Sequence, residues 1–122
     1  MDNQTSLVMD QQINNGNFKP LSTLSAVLRL DQSSDDWNLS QLTDAEEDGR
    51  REYLAHVNFV SPFNNVPLVH LGLTGFDIDK QESARISVEP TNITSYGFIV
   101  KVETWSNTRV YSVDINWLAI GA

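Results

Sequence analysis

Cysteine is missing altogether, so neither a disulfide framework nor a thiolate metal site can form, and stability must come from packing or association. Basic residues are scarce. Eight Lys and Arg against sixteen Asp and Glu give a net charge of -8, which repels nucleic-acid phosphates and anionic membrane surfaces. No apolar run approaches the ~18 residues that a membrane-spanning helix needs, and Met1-Asp2-Asn3-Gln4-Thr5-Ser6 shows no basic segment leading into an apolar one. The expectation is therefore a soluble chain with no nucleic-acid partner, no membrane insertion and no secretory signal. The compartment stays open, with action outside cells or at their surfaces compatible with everything above. Histidine is limited to His56 and His70, both inside strand patterns, and no serine sits in a nucleophile elbow. A carboxylate pair for glycoside hydrolysis can be found among sixteen acidic residues, but nothing in the sequence sets its separation. No enzyme activity and no catalytic residue are expected.

Helical periodicity is absent too, and the alternation that replaces it has a period of two. Thr23 to Leu30 places Leu24, Ala26, Leu28 and Leu30 on one face. Arg50 to Val60 does the same with Tyr53, Ala55, Val57 and Phe59, and Leu68 to Gly75 with Val69, Leu71 and Leu73. Ala84 to Glu89 follows an acidic turn at Asp77 to Glu82, and Pro90 to Tyr96 reads as a loop. Phe98, Val100 and Val102, then Tyr111, Val113, Ile115 and Trp117, predict two more strands joined as an antiparallel hairpin through Trp105-Ser106-Asn107. The fold class is all-β, with about six short antiparallel strands forming a sandwich or small barrel. Asp31 to Gly49 is predicted to be a long surface loop pinned by Trp37 and by Leu39 or Leu42, long enough to be a candidate half of a site. Residues 1–22, rich in Gln and Asn, read as a partly ordered extension ahead of a domain at 23–122.

Two constellations carry possible chemistry. Asp44-Ala45-Glu46-Glu47-Asp48-Gly49 has the opening of a calcium loop, but the closing position falls on Ala55, so no metal is expected there. The second set is Trp105, Tyr111 and Arg85 with the loop carboxylate Asp48. An aromatic ring packs against the C–H face of a sugar, while a carboxylate and a guanidinium accept from and donate to its hydroxyls.

The stretches Val57 to Phe63, Val66-Pro67, Arg85-Ile86-Ser87-Val88, Gly97-Phe98, Thr104 to Tyr111 and Ile115 to Ala119, with Trp37, together resemble the H-type lectin domain of snail agglutinins and discoidin C-terminal domains. The resemblance covers about residues 23 to 121. It implies a six-stranded antiparallel β-sandwich that assembles as a homotrimer, or as a hexamer of two trimers, and binds glycans bearing terminal N-acetylgalactosamine (GalNAc) or galactose at clefts between protomers. No metal or cofactor is implied. By the same resemblance the sugar site falls on Asp48, Arg85, Trp105, Ser106, Asn107 and Tyr111. Ser106 stands where some members carry His, and Glu46-Glu47 where some carry Gly-Arg. The added acidity disfavours sialylated or sulfated glycans. Ile99, Val110 and Leu118, opposite in parity to the expected core of the last two strands, are the candidate trimer interface. The alternative from a different class is a trimeric structural or adhesion module whose sugar pocket is degenerate.

Overall fold

In the computed structural model, which describes residues 20–42, 49–80 and 83–122, the long alternating strands near the C-terminus do not pair with each other. Among the described residues the strands are β1 (Ser22–Asp31), β2 (Arg51–Asn58), β3 (Leu68–Asp79), β4 (Ser87–Thr91), β5 (Gly97–Thr104) and β6 (Arg109–Gly121). They form two antiparallel three-stranded sheets in the orders β1-β6-β3 and β2-β5-β4. The expected hairpin of β5 and β6 is thus an arch that carries the chain from one sheet to the other. The reason lies in burial. In an arch, the inward residues of both strands face each other across the core, and Phe98 and Trp117 meet edge to face at 5.4 Å.

The core draws on both sheets and on the loop after β1, with Leu30, Val69, Trp37 and Leu39 buried beside the residues of the central strands. Phe98, Val100 and Val102 from β5, and Val113, Ile115, Trp117 and Ala119 from β6, are buried, as are Ala55 and Val57 of β2. Phe59, just past β2, packs against Phe63, Phe98 and Trp117 with ring centroids 5.2–5.8 Å apart. Aromatic contacts at such distances add to the burial of their area.

Val110 corrects a second expectation. It is fully buried within this chain and cannot belong to an interface, whereas Leu118 and Ile99 are half-buried. The parity of β6 flips because its pairing with β3 shifts register between Asp77 and Ile78, opposite Tyr111. An extra residue in one strand turns every later side chain to the other face.

Three boundaries also move. β3 runs on to Asp79, through residues expected to turn. β4 starts only at Ser87, which leaves Arg85 in the segment before the strand, and it includes Pro90, expected in a loop. Pro90 is tolerated because β4 pairs only with β5 and forms a sheet edge, where a missing N–H need not break a ladder.

The loop after β1 is pinned largely as expected. Trp37 Nε1 donates to the Val110 carbonyl at 3.0 Å, and Val110 N–H donates to the Leu39 carbonyl at 2.8 Å. Leu39 is fully buried, while Leu42 is 47% exposed and takes no such part.

Candidate functional site

The turn of the arch, residues 105–108, owes its shape to Ser106, whose φ of 58° is left-handed. Two buried threonines brace it. Thr104 Oγ1 donates to the Arg85 carbonyl at 2.5 Å, and Thr108 Oγ1 donates to the Ser83 carbonyl at 2.9 Å while accepting from Arg85 N–H at 3.3 Å. These bonds fix residues 83–85 against the turn. From there the Arg85 guanidinium reaches Asn107, donating to Oδ1 at 3.4 Å and to the Ser83 carbonyl at 3.3 Å.

A third segment arrives from the acidic loop. Gly49 adopts φ of +69°, and a Cβ at that position would stand 3.1 Å from the Ser106 carbonyl oxygen, so the two backbones are in direct contact. Only glycine combines that conformation with that approach at little cost. Next to it, the Arg50 guanidinium lies 5.3 Å from the centre of the Trp105 ring and pairs with Glu103 at 3.3 Å. Arg51, only 4% exposed, donates from Nε to the Gly49 carbonyl at 2.8 Å and from Nη2 to the Ser106 carbonyl at 2.9 Å. Its Nη1 donates to the carbonyls of Leu39, at 3.4 Å, and Gln41. Burial, with the nearby charge of Arg109, lowers the Arg51 pKa from its ordinary value. Guanidinium stays charged nonetheless.

The structure brings together four of the residues singled out in the sequence: Arg85, Trp105, Ser106 and Asn107. Asp48 and the calcium-like run before it lie outside the described residues, although Gly49, its neighbour in the chain, touches Ser106. Tyr111 opens on a different hollow of about 360 Å³, lined by Asp31, Gln32, Ser33, Asp77 and Ser112. Chemically, the turn offers a half-buried indole, an amide, a hydroxyl and guanidinium groups within one small surface, which suits a polyhydroxylated ligand with an apolar face.

Sequence reasoning missed Arg50, Arg51, Thr104 and Thr108. A usable signal existed for two of them. Arg51 shares the inward parity of Tyr53, Ala55 and Val57, and Thr104 that of Phe98, Val100 and Val102, so each is a polar group aimed at the core. A polar residue in such a place must find hydrogen-bond partners, which marks it as part of a built network.

Comparison with known proteins gives consistent results. The model of the H-type lectin domain matches residues 54–120, more than half of the chain. A protein of Fuscovulum blasticum named for open reading frame 7 of its ATP synthase subunits region is 40% identical over 74 residues, covering 61% of this chain and 64% of that protein. A discoidin-1 chain of Dictyostelium discoideum is 36% identical over 72 residues, covering 58% of this chain and 28% of its own length. The chain therefore spans less than two thirds of either relative. The solved structure of recombinant discoidin II from the same organism superposes with a TM-score of 0.73 at 24% identity, covering 89% of this chain and 40% of that one. That likeness concerns the fold: two antiparallel three-stranded sheets packed as a sandwich.

Proposed function

Because the chain belongs to the H-type lectin domain family, we propose that it is a carbohydrate-binding protein without catalytic activity that recognises terminal GalNAc or galactose. The observation that carries this reading is the braced turn at 104–108, where Trp105, Ser106, Asn107 and Arg85 converge beside the end of the acidic loop at Gly49. In this reading Asp48 accepts from the sugar hydroxyls, including the axial one of the galacto configuration. Arg85 is its charged partner, Trp105 packs on the C–H face, and Ser106 and Asn107 supply hydrogen bonds.

Tyr111 supports a site shared between chains. Within one protomer it lines a hollow with Asp31, Gln32 and Asp77, none of them from the Trp105 turn, so it serves best by completing the site of a neighbouring copy in a trimer, or in two trimers back to back. A surface for such assembly is available on the outer face of the β1-β6-β3 sheet. Val27, His70, Gly72, Asn116 and Leu118 line an apolar hollow of about 400 Å³ there, with Leu68 exposed nearby. None of these side chains carries a carboxylate, in a chain of net charge -8. Assembly would compensate for a weak single site. A monosaccharide of about fifteen heavy atoms at roughly -0.3 kcal/mol per atom gains ~4.5 kcal/mol, a Kd near 0.5 mM. Three sites on one face raise avidity by ~10²- to 10⁴-fold on a multivalent glycan.

One observation favours the second reading, a structural or adhesion module with a degenerate pocket: Arg50 covers one face of Trp105, where a sugar would otherwise stack. A titration decides between them. Heat or Trp fluorescence is followed as GalNAc, galactose and glucose are added to the wild type and to Asp48→Ala. A millimolar response to the galacto sugars, weakened by the substitution, is expected. No response to any sugar up to about 50 mM, a hundred times the expected Kd, would sink the lectin reading.

A further inference from the structure

Arg51 is the only buried charged residue among the described residues. It stands on the inward face of β2, on the same side as Ala55 and Val57, where the alternation asks for an apolar side chain. A cation in that position must be satisfied locally, because its desolvation cost is otherwise prohibitive. The partners it finds are unusual in kind. All four are backbone carbonyls, of Leu39, Gln41, Gly49 and Ser106, and none is a carboxylate.

Those carbonyls come from the middle of the acidic loop, from its end at Gly49 and from the turn between β5 and β6; the β2–β5 ladder stops at Arg51 opposite Thr104, so Gly49 and Ser106 stand just beyond its last pair, while residues 39–41 belong to no strand. The guanidinium is a rigid planar fork, so bonds from Nε, Nη1 and Nη2 fix the three segments relative to one another. A lysine ammonium has the charge but not the fork, and cannot span the same set.

We propose that Arg51 is a positioning residue of the sugar site, a buried clamp that holds the loop end at Gly49 and the Ser106 turn at the separation at which both can grip one ligand. It does not touch the sugar. This proposal rests on the lectin reading of the turn, but its structural half can be measured without any ligand. Since every bond is to main chain, the clamp constrains where the loop is anchored and leaves its side chains free to vary.

The experiment compares the full chain with Arg51→Lys. Far-UV circular dichroism reports the sheets, and amide hydrogen exchange resolves residues 39–42 and 104–108 from the cores of β5 and β6. Calorimetric titration with GalNAc and galactose reports affinity. Arg51→Lys should keep the sheet signal and strand-core protection, speed exchange at 39–42 and 104–108 about tenfold or more, and weaken sugar binding about tenfold. Wild-type exchange in both segments would overturn the proposal. So would an increase spread evenly over all strands, which would make Arg51 a general stabiliser of the core. If the wild type binds no sugar while Arg51→Lys loosens only the two segments, the lectin reading fails and the clamp stands. Should Arg51→Lys not fold, Gly49→Ala keeps the guanidinium and pushes the same junction apart from the loop side. It should give the same selective loosening and loss of affinity, and unchanged exchange there would overturn the clamp.

Discussion

Thr104 and Thr108 show how much of the site depends on single polar atoms placed away from solvent. Both are fully buried, and both spend their hydroxyl hydrogens on carbonyls of the segment that carries Arg85. Thr108→Val keeps the shape but leaves the Ser83 carbonyl and Arg85 N–H without that partner, a loss of about 1–3 kcal/mol. Urea unfolding should show it as a lower midpoint at an unchanged slope. Trp105→Ala tests the opposite case. The indole is half-buried at the surface of the turn, so its removal should cost under about 1.5 kcal/mol of stability, yet abolish the fluorescence change on adding galactose. A large loss of stability would instead make Trp105 a core residue. Asp31 provides a pH-dependent example. Hydrogen bonds from the Ser33 hydroxyl and N–H, at 2.5 and 2.8 Å, hold its carboxyl below the usual 3.8. A group depressed in this way stabilises the fold above its unfolded pKa and loses that contribution as pH falls through the folded value. Thermal melts of Asp31→Asn should therefore lie below wild type near neutral pH, with the difference closing as the pH falls below about 4.

At the scale of elements, the alternation in β5 and β6 was fully legible, but their partnership was not. Phe98, Val100 and Val102 and then Val113, Ile115 and Trp117 are inward as their spacing demands. A period of two states only that one face is buried. It does not say whether two successive strands share a sheet or face each other across the core, because both arrangements bury the same residues. The bulge at Tyr111 was hidden for a related reason: an extra residue in β6 is defined only against its partner strand, and β3 comes from a distant part of the chain. Gly97 marks another such dependence. It opens β5 so close to β2 that an added Cβ would overlap the Val57 carbonyl oxygen. Gly97→Ala must displace one strand end, and a loss of about 1–3 kcal/mol in chemical denaturation is expected, as for overpacking in a rigid core.

For the whole molecule, the question is what covers the outer face of the β1-β6-β3 sheet. Leu118 is half-buried within its own chain and Val27 is 50% exposed, so a charge introduced there is inexpensive in a monomer. In a trimer built on that face it would be buried without a partner. Leu118→Asp should then reduce the particle to a single chain of 13.7 kDa by light scattering, with the sheet signal intact and with agglutination of galactose-bearing surfaces lost. A wild-type particle already at that mass would remove this face from the assembly reading.

The all-β class, the inward-facing runs of the long strands, the pinning of the acidic loop by Trp37 and the residues of the turn at 104–108 can all be read from the order of amino acids. These are local matters, set by the alternation of side chains along a strand and by where a large ring can be buried. Only the folded chain shows that β5 and β6 belong to different sheets, that Val110 is core, that Tyr111 lines a hollow with Asp31 and Asp77, and that Arg51 ties the loop to the turn. Each of these depends on which distant backbone lies opposite a residue, and for Arg51 it is the carbonyls of Leu39, Gln41, Gly49 and Ser106 that give a buried charge its reason to be there.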